Sequence, residues 1–187
     1  VRFIGNHSSG KMGFSLAEAA ANRGAKVILI SGPSSQTTNH QNIEIHHVIS
    51  AKEMFAEVFK YYENCDIAIA SAAVADYAPK EVALEKIKKN DESLTIELVK
   101  NPDILKTMGE RKNHQFLVGF ALETQHEEEN AKTKLEKKNL DMIVLNSLRD
   151  TGAGFKSDTN KIKIITKTEL KEFNLKSKNE VAEDILN

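Results

Sequence analysis

Chemistry is concentrated first in Gly5 to Gly13, which reads G-N-H-S-S-G-K-M-G. Gly5, Gly10 and Gly13 allow tight turns or close approach of a ligand, and Ser8 and Ser9 can cap the free N–H groups of a beginning helix. Such a helix start attracts anions, and with the nearby Lys11 it can hold a phosphate or carboxylate. The stretch is neither a Walker A loop nor the G-x-G-x-x-G turn of dinucleotide-binding folds, and an ordinary turn at a helix start accounts for the same residues.

Further candidates lie at other element ends. Asp76, in A-A-V-A-D-Y, can accept hydrogen bonds from a base amine or a sugar hydroxyl, or it can close an Asx turn. Lys86 and Lys88 can approach a ligand from a flap or simply stand in solvent. Asn101 and Asp103 can cap a helix, while the neighbouring N–H groups receive a ligand. Phe120 can pack a nucleobase or belong to the core. His7 is isolated, and the side chains of His46 and His47 would face opposite ways in a strand, so the histidines form no metal signature. Serine nucleophile elbow, zincin motif and two-cysteine redox motif are all missing. Catalysis on this chain would therefore rest on positioning and charge stabilisation.

The elements that must position these residues alternate between helix and strand, the signal of an α/β layer. A helix is predicted over Phe14 to Asn22, with Phe14, Leu16, Ala17, Ala20 and Ala21 on one stripe. Strands follow at Lys26 to Ile30 and Ile43 to Val48. Ser50 caps a helix over Ala51 to Tyr62, and a buried strand spans Asp66 to Ala70, leading to Ser71, Ala72 and Ala73 where a ligand crevice is expected. Residues Ala78 to Lys100 read as an excursion or flap, with a strand at Leu94 to Val99 in a two-stranded arm. Asn101 is expected to cap a helix with Pro102 in its first turn, extending to Gly109. Then come a strand at Phe116 to Phe120, a polar helix at Glu127 to Lys138 and a strand at Leu140 to Leu145. A glycine-containing loop leads to a strand at Lys161 to Ile165, a short strand near Glu172 to Leu175 and a last helix from Ser177.

The 187 residues, 40% hydrophobic, suffice for one substantial core with an appended flap. The 26 basic and 27 acidic residues leave a formal net charge of -1, which gives no global argument for nucleic acid or an acidic membrane. Cys65 is the one cysteine, which excludes an intrachain disulfide; its apolar surroundings favour a core thiol over a nucleophile. No apolar run reaches bilayer length and no secretory leader is apparent, so a reducing, cytoplasmic location is expected. The sequence starts without Met just before the first loop, which raises the expectation of a strand upstream.

In aggregate the sequence resembles the phosphopantothenoylcysteine synthetase domain of the bacterial bifunctional coenzyme A biosynthesis proteins. The resemblance runs along essentially the whole chain, through V-R-F-I-G-N-H-S-S-G-K-M-G, S-A-A-V-A-D-Y, E-K-I-K-K, V-K-N-P-D-I-L, V-G-F-A-L-E-T and K-K-N-L-D-M-I-V-L-N, with the G-A-G-F-K-S-D-T-N loop beyond them. It implies a Rossmann-like three-layer α/β fold with a central, mostly parallel sheet and an inserted flap. Residues 1–187 would form a single CTP-dependent synthetase domain lacking its upstream first strand, with 78–100 as a flap or dimerisation arm.

The implied activity is ligation of 4'-phosphopantothenate to L-cysteine. The substrate carboxylate attacks the α-phosphorus of CTP to give an acyl cytidylate and pyrophosphate, and the cysteine amine then displaces CMP. Mg²⁺ would accompany the triphosphate, with no metal ligands assigned. By the same resemblance Ala70, Ser71, Ala72, Asp76, Lys86, Pro102, Asp103, Ile104, Leu105, Phe120, Lys134 and Lys138 bind CTP. Arg2, Asn6, Ala72 and Ala73 bind phosphopantothenate, the two alanines across a homodimer interface. Asn6 acts in catalysis on the acyl cytidylate, and Lys11 lends local charge. The native chain would be fused to an upstream decarboxylase domain, with no flavin in this one, and it would bind neither nucleic acid nor membrane. Two other readings stay open: a noncatalytic nucleotide-binding module and a nucleotide-dependent oxidoreductase, the latter without its usual fingerprint.

Overall fold

A computed structural model of the chain describes residues 4–83, 85, 87, 94–123, 125–147 and 158–187. In chain order the elements begin with α1 (Lys11–Asn22), β1 (Val27–Ser31), β2 (Ile43–His47), α2 (Ala51–Tyr61) with a 3-10 turn at Tyr62–Asn64, β3 (Ile67–Ala70) and β4 (Tyr77–Pro79). They continue with β5 (Leu98–Lys100), α3 (Ile104–Arg111), β6 (Phe116–Glu123), α4 (Glu127–Lys137), β7 (Met142–Ser147), β8 (Thr159–Asn160), β9 (Ile162–Thr166), β10 (Leu170–Glu172), β11 (Lys176–Ser177) and α5 (Lys178–Leu186).

The central sheet runs β10-β9-β7-β6-β3, with β3, β6 and β7 parallel and β9 and β10 antiparallel to their neighbours. Strands β1 and β2 form a separate parallel pair. Because side chains alternate along a strand, each central strand feeds two cores. Leu117, Ala121, Ile143, Leu145 and Ile165 join Tyr62, Met108, Ala131 and Leu135 beneath α2, α3 and α4. Val118, Val144, Ile162 and Ile164 join Leu16, Ala19, Val181, Ala182 and Ile185 beneath α1 and α5. Helices on both faces of a mixed sheet make a three-layer, Rossmann-like α/β fold.

Several boundaries differ from the sequence expectation for local reasons. Helix α1 begins at Lys11, not Phe14, because Gly10 turns the chain at φ 77 and Phe14 N already reaches Gly10 O at 3.1 Å. Its buried stripe includes Ala19 while Ala20 is only half-buried. Asn101 does not cap α3: Asp103 does, accepting Lys106 N at 2.9 Å, so the helix starts two residues later than a Pro102 start would place it. The expected two-stranded arm is present as β4 paired with β5, but residues 94–97 lie outside any strand. The short strand expected near Glu172 to Leu175 is Leu170–Glu172, set by its pairing with Ile165 through Lys163, and a further short strand, β11, pairs with β8. The last helix, expected from Ser177, begins at Lys178, and Ser177 caps it in a full capping box with Glu180.

Candidate functional site

The loop ahead of α1 is fixed by its own polar groups. Gly10 N reaches Ser8 Oγ at 3.4 Å and Lys11 N reaches Ser9 Oγ at 3.5 Å, while Ser34 Oγ donates to Ser9 O at 2.9 Å. The two serines thus steady the turn, and the helix has no side-chain cap at Gly10. A Cβ on Gly10 would stand 2.6 Å from Ser34 Oγ, in a left-handed conformation, so glycine is required there. Lys11 does not point at an open anion site: its ammonium is paired with Asp158. Lys178 is buried nearby, and burial, then the Lys11 charge, push its ammonium below the usual lysine range against the pull of Asp158.

Asn6 ties this loop to the next one. Its Nδ2 donates to Val74 O at 3.2 Å, in the segment 71–76 that leaves the carboxyl end of β3. On the far side, Asn101 Nδ2 donates to Ala75 O at 2.8 Å and Asn101 N to Asp76 O at 2.8 Å. The segment with Ser71, Ala72, Ala73 and Asp76 is therefore clasped between the α1 loop and the approach to α3. Asn101 clasps this segment through its amide rather than capping a helix.

From α3 the contacts pass to α4. Lys138 Nζ lies 3.0 Å from Asp103 Oδ1 and 2.9 Å from Oδ2, and Lys134 Nζ donates to Phe120 O at 2.7 Å. The lysines stand four positions apart, Lys134 within α4 and Lys138 at its C-cap, so the end of the helix presents both to one place. Burial lowers the pKa of Lys134 from the usual lysine value, and the Lys138 charge adds to this, against the attraction of Glu123, Asp103 and Asp76. Asp103 is net lowered: partial burial raises it, but the Lys138 hydrogen bond, the Lys106 N–H and the charges of Lys138 and Lys134 outweigh that. The Phe120 side chain packs against the core beneath α1 and α5, while its carbonyl faces Lys134.

Close packing makes this meeting of helices possible. A Cβ on Gly109 of α3 would lie 1.8 Å from Lys138 O, and one on Gly119 of β6 would lie 2.9 Å from Leu105 Cδ2. Asn139 Nδ2 donates to Gly109 O at 3.1 Å across the same contact.

Asn6, Ala70 to Ala73, Asp76, the Pro102 to Leu105 corner, Phe120, Lys134 and Lys138 are thus gathered beside the carboxyl end of β3, level with the middle of β6, which runs on past the expected end at Phe120 to Glu123. Arg2, Lys86 and Lys88 lie outside the described residues. Sequence reasoning missed Glu123, at the end of β6, which accepts Asn130 Nδ2 at 3.2 Å and faces the Lys134 charge. Its signal was available in V-G-F-A-L-E-T, as a carboxylate following the last apolar position. Cys65 is a partly buried thiol raised mainly by burial, with its Sγ 3.2 Å from Tyr62 O, which is not a nucleophile's environment. Among the described residues no three His, Cys, Asp or Glu side chains are grouped to hold a metal ion. Among them, too, no helix is long and apolar enough to cross a membrane.

A polar segment leaving the carboxyl end of parallel strand β3, with two lysines and a helix start beside it, stands where doubly wound α/β folds carry their ligand crevices. Residues 1–187 match the family described as DNA/pantothenate metabolism flavoprotein C-terminal domain. A relative called Cysteine/Cysteine sulfinic acid decarboxylase, from an unknown prokaryotic organism, is 50% identical over 100% of this chain and 52% of its own length. The Coenzyme A biosynthesis bifunctional protein CoaBC of Haemophilus influenzae is 49% identical over 100% of this chain and 46% of its own. The crystal structure of the C-terminal domain of a CoaBC protein superposes with a TM-score of 0.83 at 44% identity, covering 100% of this chain and 84% of that one. The chain belongs to this family, and over its whole length it is similar to the C-terminal domain of CoaBC proteins. It spans about half the length of the curated relatives it matches.

Proposed function

We propose that the chain is the CTP-dependent ligase unit that joins 4'-phosphopantothenate to L-cysteine through an acyl cytidylate. The observation that carries this is the set of contacts Asn6 to Val74 O, Asn101 to Ala75 O and Lys138 to Asp103, which brings motifs far apart in the sequence together beside the end of β3. Ala70, Ser71, Ala72, Asp76, the 102–105 corner and Phe120 would receive the cytidine and its phosphates. Lys134 and Lys138 would offset the charge that gathers on pyrophosphate as it leaves the α-phosphorus. Lys86 would close over the nucleotide, and Arg2 would bind phosphopantothenate.

The first step forms the carboxylate oxygen–phosphorus bond and breaks the bond to pyrophosphate. In the second, the cysteine amine attacks the acyl carbonyl, CMP departs with the bonding pair, and the amine gives up its proton. Such chemistry asks the protein for alignment and charge stabilisation rather than a nucleophile of its own. Mg²⁺ would arrive with CTP as part of the substrate. Asn6, poised beside the 71–76 segment, would hold the intermediate while cysteine attacks. Asn6→Ala should then retain CTP binding and form pyrophosphate while accumulating acyl cytidylate, as read by quenched-flow mass analysis. Undiminished transfer to cysteine would remove Asn6 from that role.

The same reading includes a homodimer in which Ala72 and Ala73 meet the neighbour's pantothenate. It is supported by the exposed apolar side chains of the arm region, Tyr77, Val82, Leu94, Ile96, Leu98 and Val99. It also includes fusion to an upstream decarboxylase and a further parallel strand ahead of Val1. Strands β1 and β3 each have one unpaired edge among the described residues, which supports such a strand. Stronger amide-exchange protection of residues 27–31 and 67–70 in a longer chain would bear on it directly.

A further inference from the structure

The Asp103 carboxylate stands where an anionic ligand would be expected to meet the two lysines of α4. Both of its oxygens approach Lys138 Nζ, at 3.0 Å and 2.9 Å, and Oδ1 also takes the Lys106 N–H at 2.9 Å. Lys134, one turn earlier on α4, feels the same carboxylate through space, together with Glu123 from β6 and Asp76 from the loop after β3. The missing Cβ of Gly109 lets α3 come close to the Lys138 backbone, beside this pair. The lysine expected to bind phosphate is therefore already neutralised by a group of the protein.

We propose that Asp103 is an internal competitor for the nucleotide phosphates: its carboxylate occupies Lys138 in the empty site, must yield it when CTP binds, and takes it back as pyrophosphate leaves. The proposal rests on the CTP reading above and refines the role of Asp103, which there belonged to the binding corner without a stated sign. Two effects of removing its charge oppose each other. Losing the partner frees Lys138, and ordering that side chain costs at most about 2 kcal/mol, roughly 30-fold in affinity. Against this, one negative charge vanishes beside a ligand carrying several. Even at an effective dielectric near that of water, each ligand charge about 6 Å away is relieved of a repulsion worth roughly threefold in affinity, and at a surface-like value considerably more. Repulsion summed over several phosphate charges exceeds the ordering cost, so the site should bind nucleotide more tightly without this carboxylate.

The test uses the full-length protein and Asp103→Asn, which keeps a side-chain oxygen able to cap α3. Calorimetry with inorganic pyrophosphate and with CTP, each at about 0.05 and about 0.5 M salt, reads the effect without requiring turnover. Expected are a melting temperature within a few degrees of wild type, affinity for both ligands raised about five- to tenfold at low salt, and a smaller gain at high salt. Steady-state assays should show pyrophosphate inhibiting more strongly and the KM for CTP falling. Unchanged or weaker binding of both ligands by a folded Asp103→Asn would overturn the proposal and return Asp103 to capping and positioning. Tighter pyrophosphate binding without any CTP-dependent ligation by wild type would instead leave the competition standing and defeat the CTP reading.

Discussion

Gly109→Ala tests whether α3 is seated by close backbone approach. In an ordinary helix interior the change is favourable, since alanine exceeds glycine in helix propensity by about 1 kcal/mol. Here the new Cβ would stand 1.8 Å from Lys138 O and 2.8 Å from its carbonyl carbon. Those atoms are main chain, held by Lys138 N to Lys134 O at 3.0 Å and by Leu140 N to Leu135 O at 2.9 Å, so no rotamer change can clear the space. Restoring ordinary van der Waals contact requires α3 and the end of α4 to part by about 1.5 Å or more. That overpacking costs about 1–3 kcal/mol. The bond from Asn139 Nδ2 to Gly109 O would stretch with it, losing about 1 kcal/mol more. Set against the propensity gain, the net loss is about 1–3 kcal/mol, which lowers the melting temperature by roughly 2–12 °C for a domain of this size. Differential scanning calorimetry measures it. A variant melting at or above wild type would refute the claim that this glycine seats the helix.

Other expectations address the site and the arm. Because burial and Lys138 lower the pKa of Lys134, its charge should be lost earlier than that of a free lysine as pH rises. Affinity for CTP should therefore decline on the alkaline side before ordinary lysines titrate, and Lys134→Met should flatten that limb in calorimetric titrations; an identical pH profile would exclude Lys134 from the phosphates. If the proposed homodimer forms through the arm, Leu98→Glu on the exposed strand β5 should shift sedimentation toward the monomer with little change in melting temperature, and sedimentation identical to wild type would remove the arm from any interface.

The layered fold was legible because the alternation of apolar periods is local information. Met54 and Val58 mark the buried side of α2, and the continuous run Leu117 to Ala121 marks a strand buried on both faces. Element ends were less so, since they depend on which polar group wins a cap. At α3 the choice among Asn101, Pro102 and Asp103 was settled by a tertiary contact, as Asn101 is drawn away to Ala75 O. The site residues were legible only in part. Helical spacing placed Lys134 and Lys138 together, but that Asp103 would hold one and Phe120 O the other depends on how α3 packs against α4. Likewise Lys11 looked like an anion ligand locally, and only the return of the chain at Asp158 shows its ammonium already paired.

If this edge activates a carboxylate with CTP and then passes the acyl group to an amine, pyrophosphate release from the full-length protein supplied with CTP and Mg²⁺ will follow the substrates in a fixed order. Release should require 4'-phosphopantothenate, proceed through one turnover without cysteine to leave an enzyme-bound acyl cytidylate, and become continuous when cysteine is added, with phosphopantothenoylcysteine and CMP formed in equal amounts. Pyrophosphate release indifferent to 4'-phosphopantothenate, or CTP binding with no release under any combination of substrates, would contradict the claim.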